Sequence, residues 1–162
     1  MEAWELEQAA ERHGDAIYRT ALQYTRQPAD AEDVLQEVLL ERYRTEQAFG
    51  SPEHERRWLL RVAVNKSRNL LRAGRRRRTV PLNEAAALSA PEEPSFRALY
   101  DAVLALPRNQ RLTVDLYYYE GYSTEEIGAL LGVRPATVRT WLRRARLKLK
   151  TLLKEAWSDD EL

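Results

Sequence analysis

Apolar residues recur along this chain at the three-and-four spacing of an α-helix, and no useful length alternates β-branched with polar residues. That periodicity leaves one fold class, all-α, with Pro and Gly marking where each helix stops. The pattern predicts a first helix from Ala3 to Thr25, presenting Leu6, Ala10, Ile17, Ala21 and Tyr24 on one face. Gln27-Pro28-Ala29-Asp30 ends it, and Asp30 is the expected N-cap of a second helix. This second helix is expected to reach Gln47 and to bury Val34, Leu35, Val38 and Leu39. Gly50-Ser51-Pro52 is the next break, with Ser51 as N-cap and Pro52 at the first position of a helix that continues to Arg72.

Residues 73–94 carry Gly74, Pro81, Pro91 and Pro94 and read as a linker, with room for one helical turn over Glu84 to Leu88. Beyond it the pattern predicts helices from Ser95 to Leu106, from Pro107 to Glu120-Gly121, from Ser123 and from Pro135. The two halves show no internal repeat. A chain of 162 residues is long enough for two small domains. The expected architecture is therefore two small helical domains, residues 1–74 and 95–162, joined by a flexible linker over 75–94.

Charge is segregated along the chain, although the formal net charge is only +1. Residues 1–55 hold thirteen acids and five bases, a net of −8. Residues 61–78 hold eight bases and no acid, four of them in the run Arg75 to Arg78, and residues 134–154 hold another eight and no acid. Two cationic patches point to contact with a polyanion at two places, and the acidic first third points to a different, basic partner. The absence of cysteine excludes a disulfide scaffold, cysteine nucleophiles and cysteine zinc sites. His13 and His54 stand too far apart in sequence for a paired histidine metal motif, and no nucleophile elbow or P-loop occurs. The sequence thus predicts no catalytic residue, no metal and no cofactor. No apolar run approaches a membrane span and the first residues lack a basic, apolar leader, so the expected setting is cytoplasmic without membrane insertion.

The segment from Ser123 to Leu153 carries the most chemistry. Ser123-Thr124-Glu125-Glu126 forms a capping box, Ile127, Leu130 and Leu131 a short apolar stripe, and Gly132 permits a tight left-handed turn before Pro135 starts the next helix. Val133 is placed to plug the angle between the two helices. At about 100° per residue, Arg139, Arg143, Arg146 and Lys150 fall within about 60° of one another, opposite Val138, Ala145, Leu149 and Leu152. A short helix, a glycine turn and a basic amphipathic helix make a helix-turn-helix whose second helix enters the DNA major groove. The competing reading is a helical hairpin with a solvated basic face. In the helix that ends at Arg72, Arg57, Arg61, Asn65, Arg68 and Arg72 form one polar, cationic stripe. Leu59, Val62, Ala63 and Leu70 face a core, Lys66 falls on the apolar side and Trp58 at the border. Stripe and arginine run together favour phosphate binding.

Three segments carry a resemblance to a known family. Ala29-Asp30-Ala31-Glu32-Asp33-Val34-Leu35-Gln36-Glu37-Val38 resembles the polymerase-binding segment of bacterial sigma-70 family RNA polymerase sigma factors. Trp58-Leu59-Leu60-Arg61-Val62-Ala63-Val64-Asn65 resembles their promoter-melting segment. Leu106-Pro107, then Glu120 to Ile127, Thr137-Val138-Arg139 and Arg144-Ala145-Arg146 resemble region four. Order, spacing and length resemble the extracytoplasmic-function (ECF) group, which keeps only regions two and four.

The resemblance implies an alternative sigma factor that binds core polymerase, recognises minus-35 and minus-10 promoter elements and aids strand opening. It places Asp33, Gln36 and Glu37 against the clamp helices of the polymerase large subunit. It places the Phe49-to-His54 loop, with Phe49, Ser51 and His54, around a flipped base of the minus-10 element and Asn65 in contact with that element, and the stripe residues Arg61, Arg68 and Arg72 are expected there with them. It places Arg139, Thr140, Arg143 and Arg144 at the minus-35 element. The family commonly also has an anti-sigma inhibitor. Departures from its pattern are the Pro52-Glu53-His54 loop, Arg134 at an N-cap where Ser or Thr caps better, and the dense Arg75-to-Arg78 run. The alternatives are a stand-alone helix-turn-helix regulator that never joins polymerase, and a sigma-like interaction protein. The acidic second helix speaks against the first of these.

Overall fold

The structure, a computed structural model, describes residues 1–74 and 93–154. The chain divides into two compact units, Met1–Leu82 and Asn83–Leu162. Most of the expected 75–94 linker lies outside the described residues, as does the Arg75-to-Arg78 run. Helices account for the regular structure, with no strand among the described residues.

The first unit packs α1 (Ala3–Thr25), α2 (Pro28–Arg44) and α3 (Pro52–Arg72) against one another. Its core is Ala9, Ala16, Ile17 and Ala21 of α1, Val34 and Val38 of α2, and Leu59, Leu60, Ala63, Val64 and Leu70 of α3. The buried face of α1 is turned slightly from the one its apolar residues predict: His13 and Thr20 are buried, whereas Leu6, Ala10 and Tyr24 are half-buried. The buried arc of α3 is also wider than predicted. Leu60 and Val64 are fully buried and Val62 only half-buried, because α3 packs on both α1 and α2.

Two boundaries of α2 differ from expectation. Gln27 is its N-cap and Pro28 its first residue, so Asp30 is not the cap but a buried residue of the first turn. Proline with its fixed φ suits that first position better than a residue whose N–H needs a partner. The helix ends at Arg44 rather than Gln47. The start of α3 is as read: the Ser51 hydroxyl accepts from the His54 backbone N–H at 3.1 Å, with Pro52 at the first position.

A polar network crosses this core. His13 of α1 is 1% exposed, and its Nε2 meets Glu55 Oε1 at 3.0 Å. Its Nδ1 accepts from Arg56 Nε at 3.2 Å, and Arg42 of α2 donates from Nε to Glu55 Oε2 at 2.8 Å. One protonation state satisfies both ring nitrogens: neutral, with the hydrogen on Nε2 facing the carboxylate and a lone pair on Nδ1 facing the guanidinium. Burial pushes the His13 pKa below 6.5; Glu55 opposes this and Arg56 and Arg12 reinforce it. The unfolded chain therefore binds a proton here at pH values where the folded chain does not. The contribution of this site to stability is present above about pH 6.5 and lost as the pH falls below that, by up to about 1.4 kcal/mol per pH unit. Urea unfolding from pH 7 to 5 should show a shallower loss of stability in His13→Gln than in the parent. Equal slopes in the two proteins would contradict the neutral, buried assignment.

The second unit builds on α7 (Pro135–Lys154), against which α4 (Pro94–Leu104), α5 (Arg108–Val114) and α6 (Thr124–Leu131) pack. The helix expected from Pro107 to Glu120 is not uniform. It passes at Asp115 into a π-helical turn over Asp115–Tyr119, closed by the Glu120 N–H donating to Asp115 O at 3.0 Å. Tyr118 and Tyr119 of this turn are exposed. Leu106, Leu112, Leu116, Ile127, Leu131, Val138, Leu142 and Ala145 fill the core.

Candidate nucleic-acid interface

The helix-turn-helix forms as its local sequence dictates. Ser123 Oγ accepts from the Glu126 N–H and Glu126 Oε1 accepts from the Ser123 N–H, both at 3.1 Å. Gly132 ends α6 at φ 73°, in the left-handed region that costs glycine little. Gly128, which the sequence reading passed over, is equally constrained. A Cβ there would lie 2.7 Å from the Val133 carbonyl oxygen, so the turn backbone can close onto α6 only where no side chain intervenes. Gly128→Val should therefore cost about 1–3 kcal/mol by overpacking, read as faster amide exchange in α6 and α7. Unchanged exchange would show that the turn does not depend on this close approach.

From this frame α7 presents a broad exposed face. Arg139, Arg143 and Arg144 are exposed and Thr140 is half-buried. At about 100° per residue the four span about 140° of the helix circumference. Arg139 is oriented by Glu125 of α6 across 3.9 Å, a loose surface pair that a nucleic acid can replace at little cost. The Thr140 hydroxyl donates to the Ala136 carbonyl at 3.1 Å, which leaves the oxygen's lone pairs available as acceptors. Arg146, also on the predicted stripe, is turned to the π segment: its Nε donates to Tyr118 Oη at 2.6 Å, and its guanidinium lies over the Tyr117 and Tyr118 rings. Lys150 and Lys154 are exposed farther along α7.

The first unit carries a second cationic face. Arg57, Arg61, Asn65 and Arg72 are exposed along α3. Arg68 is half-buried and donates from Nε to Tyr24 Oη at 3.3 Å, which holds its stem against α1. Lys66 pairs with Glu41 of α2 at 3.2 Å, in keeping with its place off the stripe. Beside the stripe, the α2–α3 loop is held by Phe49. Its ring centroid lies 5.3 Å from that of His54 and 5.4 Å from that of Trp58, with the Arg42 guanidinium 4.6 Å from its centroid. Phe49 thus packs under the loop, and Trp58 at the border of the stripe packs on it. The Gly50 N–H donates to His54 Nδ1 at 3.2 Å, while Ser51 spends its hydroxyl on the cap.

On α2, Asp33 is half-buried and Gln36 and Glu37 are exposed. Their three-and-four spacing puts them on one side of the helix. The interface residues predicted from sequence therefore gather on three surfaces: the acidic side of α2, the stripe of α3 with its loop, and the outer face of α7. No described helix is long and apolar enough to cross a membrane.

Comparison with known proteins places both units in one family. The family model for sigma-70 region 2 matches residues 9–77, and that for sigma-70, region 4, matches residues 96–149. The ECF RNA polymerase sigma factor SigM of Mycobacterium tuberculosis is 32% identical over 150 residues, covering 91% of this chain and 76% of that protein. SigE of Mycolicibacterium smegmatis, named as the same kind of factor, is 32% identical over 163 residues; the match takes in 94% of this chain but 62% of that longer protein. Among solved structures, CnrH in complex with the cytosolic domain of CnrY matches with a TM-score of 0.65 and 27% identity, over 96% of this chain and 92% of that one. The sigma factor RpoE of Bartonella quintana, solved with the anti-sigma factor NepR, shares the fold at a TM-score of 0.68 and 21% identity, over 93% of this chain and 97% of that one. With regions two and four matched in order and a relative 32% identical over 76% of its own length, the chain belongs to the ECF RNA polymerase sigma factors of the sigma-70 family.

Proposed function

We propose that this chain joins core RNA polymerase through Asp33, Gln36 and Glu37 and directs it to promoters through two DNA-reading surfaces. Arg139, Thr140, Arg143 and Arg144 read or clamp the minus-35 element. Phe49, Ser51, His54, Arg61, Asn65, Arg68 and Arg72 engage the minus-10 element. The observation that carries the reading is one chain holding an exposed cationic stripe with an adjoining loop on α3, and a helix-turn-helix with an arginine-rich outer face. Residues 1–74 bind core polymerase and engage the minus-10 element, residues 95–162 read the minus-35 element, and residues 75–94 form the tether. The protein acts in the cytoplasm, where polymerase works, and carries out no covalent chemistry itself. An anti-sigma factor is a further partner on this reading, as RpoE of Bartonella quintana is found in complex with the anti-sigma factor NepR.

Strand opening on this reading is driven by binding. Extruding a base costs a few kcal/mol of stacking and pairing, which contacts to the single strand repay. Asn65, exposed within the α3 stripe, offers both an amide donor and an acceptor for that contact. Asn65→Ala should leave core binding intact and reduce permanganate reactivity of minus-10 thymines by about tenfold, the equivalent of one lost polar contact of about 1.4 kcal/mol. A template with a pre-melted bubble should recover most of the loss. Normal opening of duplex DNA by Asn65→Ala would remove Asn65 from the melting step.

A further inference from the structure

The network that crosses the first core reaches the α2–α3 loop. Glu55 is only 8% exposed and its two carboxylate oxygens are divided between helices: Oε1 faces His13 of α1 at 3.0 Å and Oε2 accepts from Arg42 of α2 at 2.8 Å. Arg42 in turn lies over the face of Phe49 at 4.6 Å. A guanidinium over an aromatic face is attractive, and more so when it is shielded from water. The Arg42 side chain is 15% exposed. The loop thus has two anchors. One is the Phe49 ring, closed in by Arg42, His54 and Trp58; the other is the Gly50 N–H on His54 Nδ1.

We propose that Arg42 and Glu55 are positioning residues for the minus-10 loop: Glu55 fixes the Arg42 guanidinium, and Arg42 clamps Phe49 so that residues 49–54 hold one shape toward the extruded base. The inference rests on the reading of this loop as a base pocket. Neither residue touches DNA in this role. The geometry makes it specific, because a pocket discriminates between bases only if its walls stay put, and a guanidinium sandwiched between a buried carboxylate and a ring has little freedom left. Lysine cannot substitute: its ammonium keeps the charge facing Glu55 but lacks the planar face that covers Phe49.

The test uses the full chain bound to core polymerase. Single-stranded oligonucleotides carry the minus-10 element of a promoter that the parent protein transcribes, with each of the four bases placed in turn at every position. The parent should prefer one base at the pocketed position by roughly tenfold or more, the usual scale of one mismatched base. Arg42→Ala should lower that preference to less than about threefold while core binding and duplex minus-35 binding stay as in the parent. Arg42→Lys, which keeps a cation facing Glu55, should lose the preference as Arg42→Ala does. Phe49→Leu, which leaves the Arg42–Glu55 pair in place, should flatten it as well. Undiminished preference in Arg42→Ala would overturn the positioning role and leave the pocket reading standing. A parent protein with no base preference would remove the pocket itself. Parallel losses of minus-10, minus-35 and core binding in both Arg42 variants would make the pair a folding element only, and would also overturn the proposal.

Discussion

Inserting half a helical turn of DNA between the minus-35 and minus-10 elements should abolish transcription directed by this protein. One turn is about 34–36 Å, so five added base pairs rotate one element to the opposite face of the duplex while lengthening the path by only about 17 Å. Residues 79–94 can span at most about 53–58 Å if fully extended, so the two elements are expected about one and a half turns apart, with some slack. Length is thus the smaller obstacle and rotation the larger one. A full-turn insertion restores the face, so it should recover part of the activity that the half turn removes. The check is transcript yield from matched templates at one polymerase concentration. Undiminished transcripts from the half-turn template would mean that the two DNA-reading surfaces do not act on one promoter together.

Reversing charge on α2 should be nearly as damaging, at an earlier step. Glu37 is exposed and Asp33 is half-buried one turn away on the same side. With Asp33→Lys and Glu37→Lys together, a basic partner meets two cations in place of two anions, a juxtaposition that costs several kcal/mol. The expected loss is about a hundredfold or more in the Kd for core polymerase, with binding of an isolated minus-35 duplex unchanged. Unaltered core affinity would remove this surface from the polymerase interface.

Much of the fold is written locally and can be read as such. The Ser123–Glu126 capping box, the Ser51 cap with Pro52 behind it, and the left-handed Gly132 each depend on residues within a turn of one another, and all three stand in the structure as the sequence implies. What the sequence conceals is set by partners far along the chain. Glu55 meets His13 across 42 residues, and nothing near either residue announces the pairing. Leu60 and Val64 lie beyond the arc a single packing partner would bury, and only the packing of α3 on two helices accounts for them. The π turn at Asp115–Tyr119 has no motif of its own, since Asp-Leu-Tyr-Tyr-Tyr continues an α-helix as readily. Asp30 misled because its residue type favours an N-cap, whereas Pro28 two positions earlier had already fixed the start. At the interfaces the exposed arginines of α7 and α3 were legible from periodicity. The engagement of Arg146 by Tyr118 and of Arg68 by Tyr24 was not, because each joins elements that the helical wheel treats separately.

The central claim is that this chain confers promoter choice on polymerase. The direct measurement adds the purified protein to core polymerase freed of every sigma factor, with a pool of promoter fragments from its host, and sequences the transcripts. The account predicts discrete start sites, each preceded by the same pair of spaced elements, and their loss when Asp33→Lys/Glu37→Lys protein is used. Transcripts no different from those of core polymerase alone, from a protein that still binds DNA through α7, would contradict it and identify a stand-alone DNA-binding regulator instead.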